Sequence, residues 1–551
     1  MHTIVKTVLA IGLIFLPGLL AAKEAAKSIT LLTINDVYRI AGTANGTMGS
    51  LSRVRTLRKQ LEQEDPNLLM LHAGDFLFPS MMSRLFKGEH MIDLLNGLDG
   101  DFSRFDERML VTFGNHEFDK SKLKHAAMLG QRIKNSQFSW LASDIDFKPG
   151  IIGLSEGLAP NIIRSQLRTI NGIKVGLFSI TTDVKHPGYV ERFLPPLETA
   201  AKLSAQLREQ GAQVVIALTH QTVAQDMKIF RKLKEKGPDL IVGGHEHSRH
   251  AIKNGPRMLI KADADASSAA VIKITLDESS PSGMKIAHRF EDLTKEVVKD
   301  NLVDGRTAAW SERYNTLFCK QQRAGSDCLD KPLTSTGVEL VAEELEIRKY
   351  ETNLGSWVVD QAVKAFKPHG AQIAFINAGS MRLNQNVPRK IAVTMRHLEE
   401  LFPYDNNLSL IEIDGKTLKQ IVARAVTDWN GNGWWLQVSG FGYRFDPEKG
   451  TVSDLSLLTR KGPKPVGDDE KILAVTNDFL LNPIFGQDGY TMLRPEMVVR
   501  ESADETPSLK QLVAKALARI PHGHFKPVLK GRICNTKRQQ VPCLLDMPLR
   551  K

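Results

Sequence analysis

From Ser28 to about Leu276, short apolar runs alternate with charged stretches of helical periodicity. Ile29 to Ile34 reads as a buried strand, Leu51 to Glu64 as an amphipathic helix, and Asn67 to Ala73 as another strand. Met109 to Phe113, Val175 to Ile180, Val214 to Thr219 and Leu240 to Val242 repeat the apolar run. Strands alternating with helices predict an α/β domain with a largely parallel or mixed sheet. Ligands of such sheets gather outside the C-terminal ends of the strands, so the polar residues directly after each run carry the interest. Residues from about Glu291 to Asp330 are charged and helix-compatible and predict the connection between two domains. A second α/β region begins near Glu339. The predicted organisation is a first domain over 28–300, a connection over 301–338, a second domain over 339–533 and a tail over 534–551.

Length agrees with two domains, because 551 residues exceed what one hydrophobic core holds. Hydrophobic residues at 42% and charged residues at 25% are ordinary for a globular chain. The formal net charge of +11 favours anionic partners. The basic residues are scattered and no helix-turn-helix, finger or RNA-binding motif accompanies them, which points to small phosphorylated molecules and away from a nucleic acid polymer. The basic C-terminal end reads as a solvated tail. At the other end, Lys6, an apolar run from Thr7 to Leu20, and Ala21-Ala22 have the layout of a secretory signal over residues 1–22. The run is shorter than the about 20 apolar residues of a membrane span, so no span is expected after cleavage; an uncleaved anchor is the alternative. A periplasmic or extracellular location follows. Cys319 and Cys328 lie nine apart, as do Cys534 and Cys543. Two local disulfide loops, one of three possible connectivities, fit an oxidising compartment.

The chemistry sits behind the apolar runs. Asn35-Asp36-Val37-Tyr38 follows the first, Gly74-Asp75 the next, and Gly114-Asn115-His116-Glu117-Phe118-Asp119 another; later runs end in Thr219-His220 and Gly243-Gly244-His245-Glu246-His247. Oxygen and imidazole donors of this kind suit Mn, Fe, Zn or Co. Two ions about 3.5–4 Å apart need a shared carboxylate. Asp75 is the expected bridge, with Asp36 and His247 on one ion and Asn115, His220 and His245 on the other. His116 is expected beside them as a proton donor or charge stabiliser, oriented by Asp119.

The order of these motifs resembles the calcineurin-like metallophosphoesterases, and Gly114 to Asp119 matches the form typical of their 5'-nucleotidase branch. The second half is similar to that branch as well. Glu351-Thr352-Asn353-Leu354-Gly355 resembles its opening motif, and Asn377-Ala378-Gly379-Ser380-Met381-Arg382 its phosphate-binding turn. Phe402 to Asn406, Leu436 to Gly440 and Gly486 to Tyr490 resemble the segments that follow. The resemblance implies layered sheets flanked by helices in the first domain and an α/β substrate-binding second domain. It also implies two divalent ions (Mn, Zn, Co or similar), and hydrolysis of a phosphate ester, first of all a nucleoside 5'-monophosphate, by water activated on them. Asn377 and Arg382 would hold phosphate, Asp488 ribose hydroxyls, and Trp435 and Phe485 a base, with core packing the alternative for those two aromatics. A cyclic-nucleotide phosphodiesterase, a nucleotide-sugar hydrolase and a thiosulfohydrolase share this scaffold. The chain departs from the pattern at Tyr38, where the family has His, and at Gln487, where Gly is usual. A phenol is a poor metal ligand. The first metal site is therefore altered, or, in a reading of another class, impaired in a binding or sensing protein.

Overall fold

The computed structural model describes residues 27–151, 161–182, 185–277, 279–280, 283–427, 429, 431–483, 487–501 and 508–546. The signal-like segment and Phe485 lie outside them.

Two sheets build the first domain. In one, strand Ser28–Ile34 pairs antiparallel with Ser268–Leu276 and parallel with Leu69–His72, which pairs parallel with Met109–Thr112. In the other, Ile173–Thr181, Val214–His220, Leu240–Gly243 and Arg257–Lys261 run parallel. Side chains of a strand alternate between faces, and both faces here are covered, which is why the runs are apolar throughout. Leu32 and Ile34 point into the helix-side core, whereas Ile29 and Leu31 enter the core between the sheets. Likewise Val214, Ile216 and Leu218 meet the other sheet, and Val215 and Ala217 the outer helices Pro196–Glu209 and Val223–Leu233. The result is a helix–sheet–sheet–helix stack whose parallel strands end on a common rim.

Helix Asn301–Gln321 corrects the expected connection. Asp300 caps its first turn, accepting from the Leu302 and Val303 amides at 3.1 Å. Val303, Thr307, Trp310 and Tyr314 recur at helical spacing and are buried. Trp310 lies 4.9 Å from the Phe86 ring, and its indole donates to Asp93 at 2.6 Å. The helix therefore packs as an outer layer of the first domain, and the passage to the second domain lies beyond the Cys319–Cys328 disulfide.

The second domain centres on a sheet in the order Leu436–Ser439, Ile373–Asn377, Lys471–Asn477, Leu408–Asp414 and Val498–Glu501, with helices Asn353–Phe366 and Gly415–Val426 filling separate cores on its two faces. The expected tail begins inside a second sheet: Ile533–Asn535 pairs parallel with Phe441–Asp446. Buried Glu351 accepts from the amides of Lys530, Arg532 and Ile533 at 3.0, 2.7 and 3.2 Å. The Cys534–Cys543 disulfide closes the loop behind that strand. No helix among the described residues is long and apolar enough to cross a membrane.

Candidate metal centre

The rim where the two sheets meet collects the polar residues that follow the apolar runs. Asp36 comes two residues after strand Ser28–Ile34, Asp75 follows Leu69–His72, and Asn115 follows Met109–Thr112; His220 ends Val214–His220, and His245 and His247 follow Leu240–Gly243. Asp36, Asp75, His245 and His247 hold φ values of +51°, +60°, +90° and +60°. Left-handed backbone is strained for residues with a Cβ, and four such positions converging at one rim mark a place the surrounding fold over-determines. Glycines supply the space between them. A Cβ on Gly114 would stand 2.1 Å from Asp75 Oδ1, and one on Gly244 would stand 2.8 Å from Asp36 Oδ2.

Asp36, Asp75 and His220 offer ligand atoms within 4.8 Å of one another. His220 Nδ1 donates to the Ala73 carbonyl at 2.7 Å, which turns Nε2 toward Asp75 Oδ2 at 3.1 Å and Asp36 Oδ1 at 3.9 Å. That Nε2 is buried and makes no hydrogen bond. Burial alone would lower the imidazole, yet Asp75 and Asp36 carry it up to about 10: the two carboxylates demand positive charge at this spot. His247 repeats the arrangement, with Nδ1 donating to Glu344 at 2.8 Å and Nε2 3.3 Å from Asp36 Oδ1. An outer carboxylate or carbonyl that fixes one imidazole nitrogen and aims the other is how metal-binding histidines are held. His245 Nδ1 lies 3.1 Å from Asn115 Oδ1, and the Asp75 carboxylate stands between the two groups of donors. The donor set fits divalent cations.

His116 lies at the edge of the cluster. Its Nδ1 donates to Asp119 at 3.0 Å, Asp119 is also paired with Lys185 at 3.1 Å, and Nε2 lies 3.9 Å from Asp75 Oδ2. Burial pulls the imidazole down and Asp119 and Asp75 oppose it. Tyr38 reaches the middle of the site, its hydroxyl 3.3 Å from Asp36 Oδ1, 3.2 Å from Asp75 Oδ2 and 3.1 Å from His247 Nε2.

Across the domain interface, Arg382 faces this rim, its guanidinium 6.0 Å from the Tyr38 ring and 5.6 Å from the Tyr404 ring. Its Nε donates to the Gly379 carbonyl at 3.0 Å, while Nη1 is buried without a hydrogen-bond partner. Asn377 ends its strand and donates to Asp488 at 3.1 Å; Asn477 and Ser380 in turn donate to Asn377 Oδ1 at 2.9 and 2.6 Å. Trp435 does not join them. It is 1% exposed, packs 5.2 Å from Phe445 and donates its indole N–H to Tyr350 at 3.2 Å, which places it in the core and corrects the expected stacking role.

Several residues at the site give no signal in the sequence. Glu344 and Asp265 act across 97 and 227 positions, Asp265 by accepting from the Tyr38 and Arg39 amides at 2.9 and 3.0 Å. Buried Lys261 meets Asp226 at 2.9 Å, Glu246 at 2.6 Å and the Gly244 carbonyl at 2.8 Å, holding the turn that carries His245. Glu117 accepts from the amides of Gly114, Asp75, Phe76 and Leu77 at 2.6, 2.9, 2.8 and 3.0 Å; its place inside the Gly114–Asp119 motif was the only hint of it.

Known proteins agree with this architecture. The family model for calcineurin-like phosphoesterases matches residues 29–249, and that for the 5'-nucleotidase C-terminal domain matches residues 333–495. A snake venom 5'-nucleotidase of Naja atra is 25% identical over 555 residues, covering 92% of this chain and 98% of its own. The trifunctional nucleotide phosphoesterase protein of Bacillus subtilis is 24% identical over 85% of this chain, which spans 32% of that longer protein. The crystal structure of a 5'-nucleotidase precursor from Thermus thermophilus superimposes with a TM-score of 0.75 at 23% identity, over 93% of this chain and 100% of that one. With a metal-type donor cluster on one domain and a matched second domain facing it, the chain belongs to the 5'-nucleotidase family of calcineurin-like phosphoesterases, a family of hydrolases.

Proposed function

We propose that the chain hydrolyses phosphate monoesters in the cleft between its domains, with nucleoside 5'-monophosphates as the principal substrates. One observation carries this reading: Arg382, with a buried Nη1 that has no hydrogen-bond partner, lies over the ring of Tyr38, whose hydroxyl touches the cluster of buried carboxylates and imidazoles on the other domain. Cation donors on one wall and a bidentate guanidinium on the other suit a phosphate held between them.

Asp36 and His247 would hold one divalent ion, Asn115, His220 and His245 the other, and Asp75 both. Two such ions lower the pKa of water and offset charge on the phosphoryl oxygens. The chain's own residues do the rest. Arg382 orients the phosphate from across the cleft. His116, with Nδ1 fixed by Asp119, presents Nε2 toward the reacting phosphate, where it donates a proton to the leaving oxygen or stabilises its charge. Asp488, held by Asn377, accepts from ribose hydroxyls. Phe485, outside the described residues, would stack on the base. The two local disulfides and the signal-like N-terminus support export to the periplasm or the extracellular space.

The test is phosphate release from AMP, a 2',3'-cyclic nucleotide, UDP-glucose and bis-p-nitrophenyl phosphate, with coupling enzymes exposing buried phosphates and Mn, Zn, Co or Mg added in turn. AMP turned over faster than the others is the expected result. Turnover confined to a diester would assign a different ester, and silence across the panel with metals bound would assign a non-nucleotide substrate.

A further inference from the structure

The two proposed metal positions differ in their chemistry. One is lined by His220, His245, Asn115 and Asp75: two imidazoles, a carboxamide and a carboxylate. Around the other, Tyr38 Oη lies 3.3, 3.2 and 3.1 Å from Asp36 Oδ1, Asp75 Oδ2 and His247 Nε2, and His247 Nε2 lies 3.3 Å from Asp36 Oδ1. Ligand atoms about 2.0–2.2 Å from a common divalent ion stand about 3.0–3.5 Å from each other. The Tyr38 oxygen therefore stands at ligand spacing from each of the other three atoms, which are two carboxylate oxygens and one imidazole nitrogen.

Its placement is enforced from several sides. The Tyr38 amide donates to Asp265 at 2.9 Å, the ring is buried, and Arg382 covers it. The single imidazole here, His247, is aimed by Glu344 from the second domain. Oxygen-rich sets suit Mn and Mg, whereas imidazole-rich sets suit Zn and Co. A phenol hydroxyl is also a weaker donor than the imidazole that the family resemblance leads one to expect there.

We propose that the two positions load unequally: the Asn115–His220–His245 position retains a Zn- or Co-like ion, while the Tyr38 position takes an oxygen-preferring ion such as Mn or Mg and exchanges it readily. Tyr38 is thus a residue that sets metal preference. The inference rests on the metal-centre reading above and concerns only how its two positions differ.

Wild type, Tyr38→His and Tyr38→Phe would each be incubated with a mixture of Zn and Mn, passed through a desalting column, and assayed for bound metal per chain by mass spectrometry, with Mn followed by electron paramagnetic resonance. Wild type should keep its Zn and lose Mn to competing chelator at concentrations about 10- to 100-fold lower than those that remove Zn. Tyr38→His should keep two Zn ions, and Tyr38→Phe, which preserves the ring and the fold, should lose Mn more readily still. Two equally held ions of one kind in wild type, or Tyr38→His with wild-type metal content, would overturn the inference while leaving the metal centre standing. No metal bound by any of the three folded proteins would overturn the metal centre itself.

Discussion

At the residue scale, three imidazoles at the cluster have one nitrogen committed and the other presented. His220 leans on the Ala73 carbonyl, His247 on Glu344, and His116 on Asp119. The consequences differ by role. His116→Ala should lower kcat about 100- to 10,000-fold with bound metal unchanged, measured by AMP turnover and metal analysis on the same sample. Near-wild-type turnover would remove His116 from the chemistry. Glu344→Gln should act differently, because it works through His247: metal affinity should fall about 10- to 100-fold while kcat at saturating metal stays close to wild type. Arg382→Lys should lower kcat/KM about 10- to 100-fold, since an ammonium cannot reproduce the two-pronged grip on phosphate.

At the scale of elements, the strand ends deliver the donors and the turns behind them decide where the donors point. Glu117 ties the Gly114 turn to the Asp75–Leu77 turn through four amides. In Glu117→Gln the new NH2 group would face amide donors, leaving buried N–H groups unpaired and destabilising the fold by at least about 2 kcal/mol, as chemical unfolding would measure. Lys261→Met would strand Asp226 and Glu246 beside the His245 turn and should destabilise by about 3–5 kcal/mol. Much of this scale could be read in the sequence. Asp36, Asp75, Asn115, His220, His245 and His247 each follow an uninterrupted apolar run, and the structure gathers all six on one rim. Glu344, Asp265 and Lys261 could not be read, because nothing local marks a residue whose partner lies far along the chain. Stacking and core packing are both open for Trp435 in the sequence for a related reason: Trp434 and Trp435 are adjacent just ahead of strand Leu436–Ser439, and nothing local decides which of them is buried. The helix Asn301–Gln321 looked like a connection because its apolar stripe is narrow, with three large apolar residues buried over 21 positions before Cys319.

At the scale of the molecule, the donor cluster and Arg382 belong to different domains, and the interface between them is itself charged. Arg84 of the first domain pairs with Glu399 and Asp405 of the second, and Lys510 joins both carboxylates at 3.0 and 3.2 Å. Asp36 and Asp75 share one buried site, where protons on His220 and His247 offset their charge; a divalent cation that takes the place of those protons adds its binding free energy to the folded state. Chelation should therefore lower the thermal midpoint, with re-addition of metal at about 100 times its dissociation constant restoring about 2.7 kcal/mol. An unchanged midpoint would mean the cluster binds no ion in the folded protein.

The central claim is that this rim, loaded with divalent metal, cleaves nucleotide phosphate. It is tested most directly by stripping the purified protein with chelator, returning Mn, Zn or Co, and following phosphate release from AMP, with Asp75→Asn alongside. Activity that disappears on stripping, returns with metal and is lost in Asp75→Asn at equal folded concentration is the predicted result. AMP hydrolysis that persists without metal, or that survives in Asp75→Asn, would contradict it.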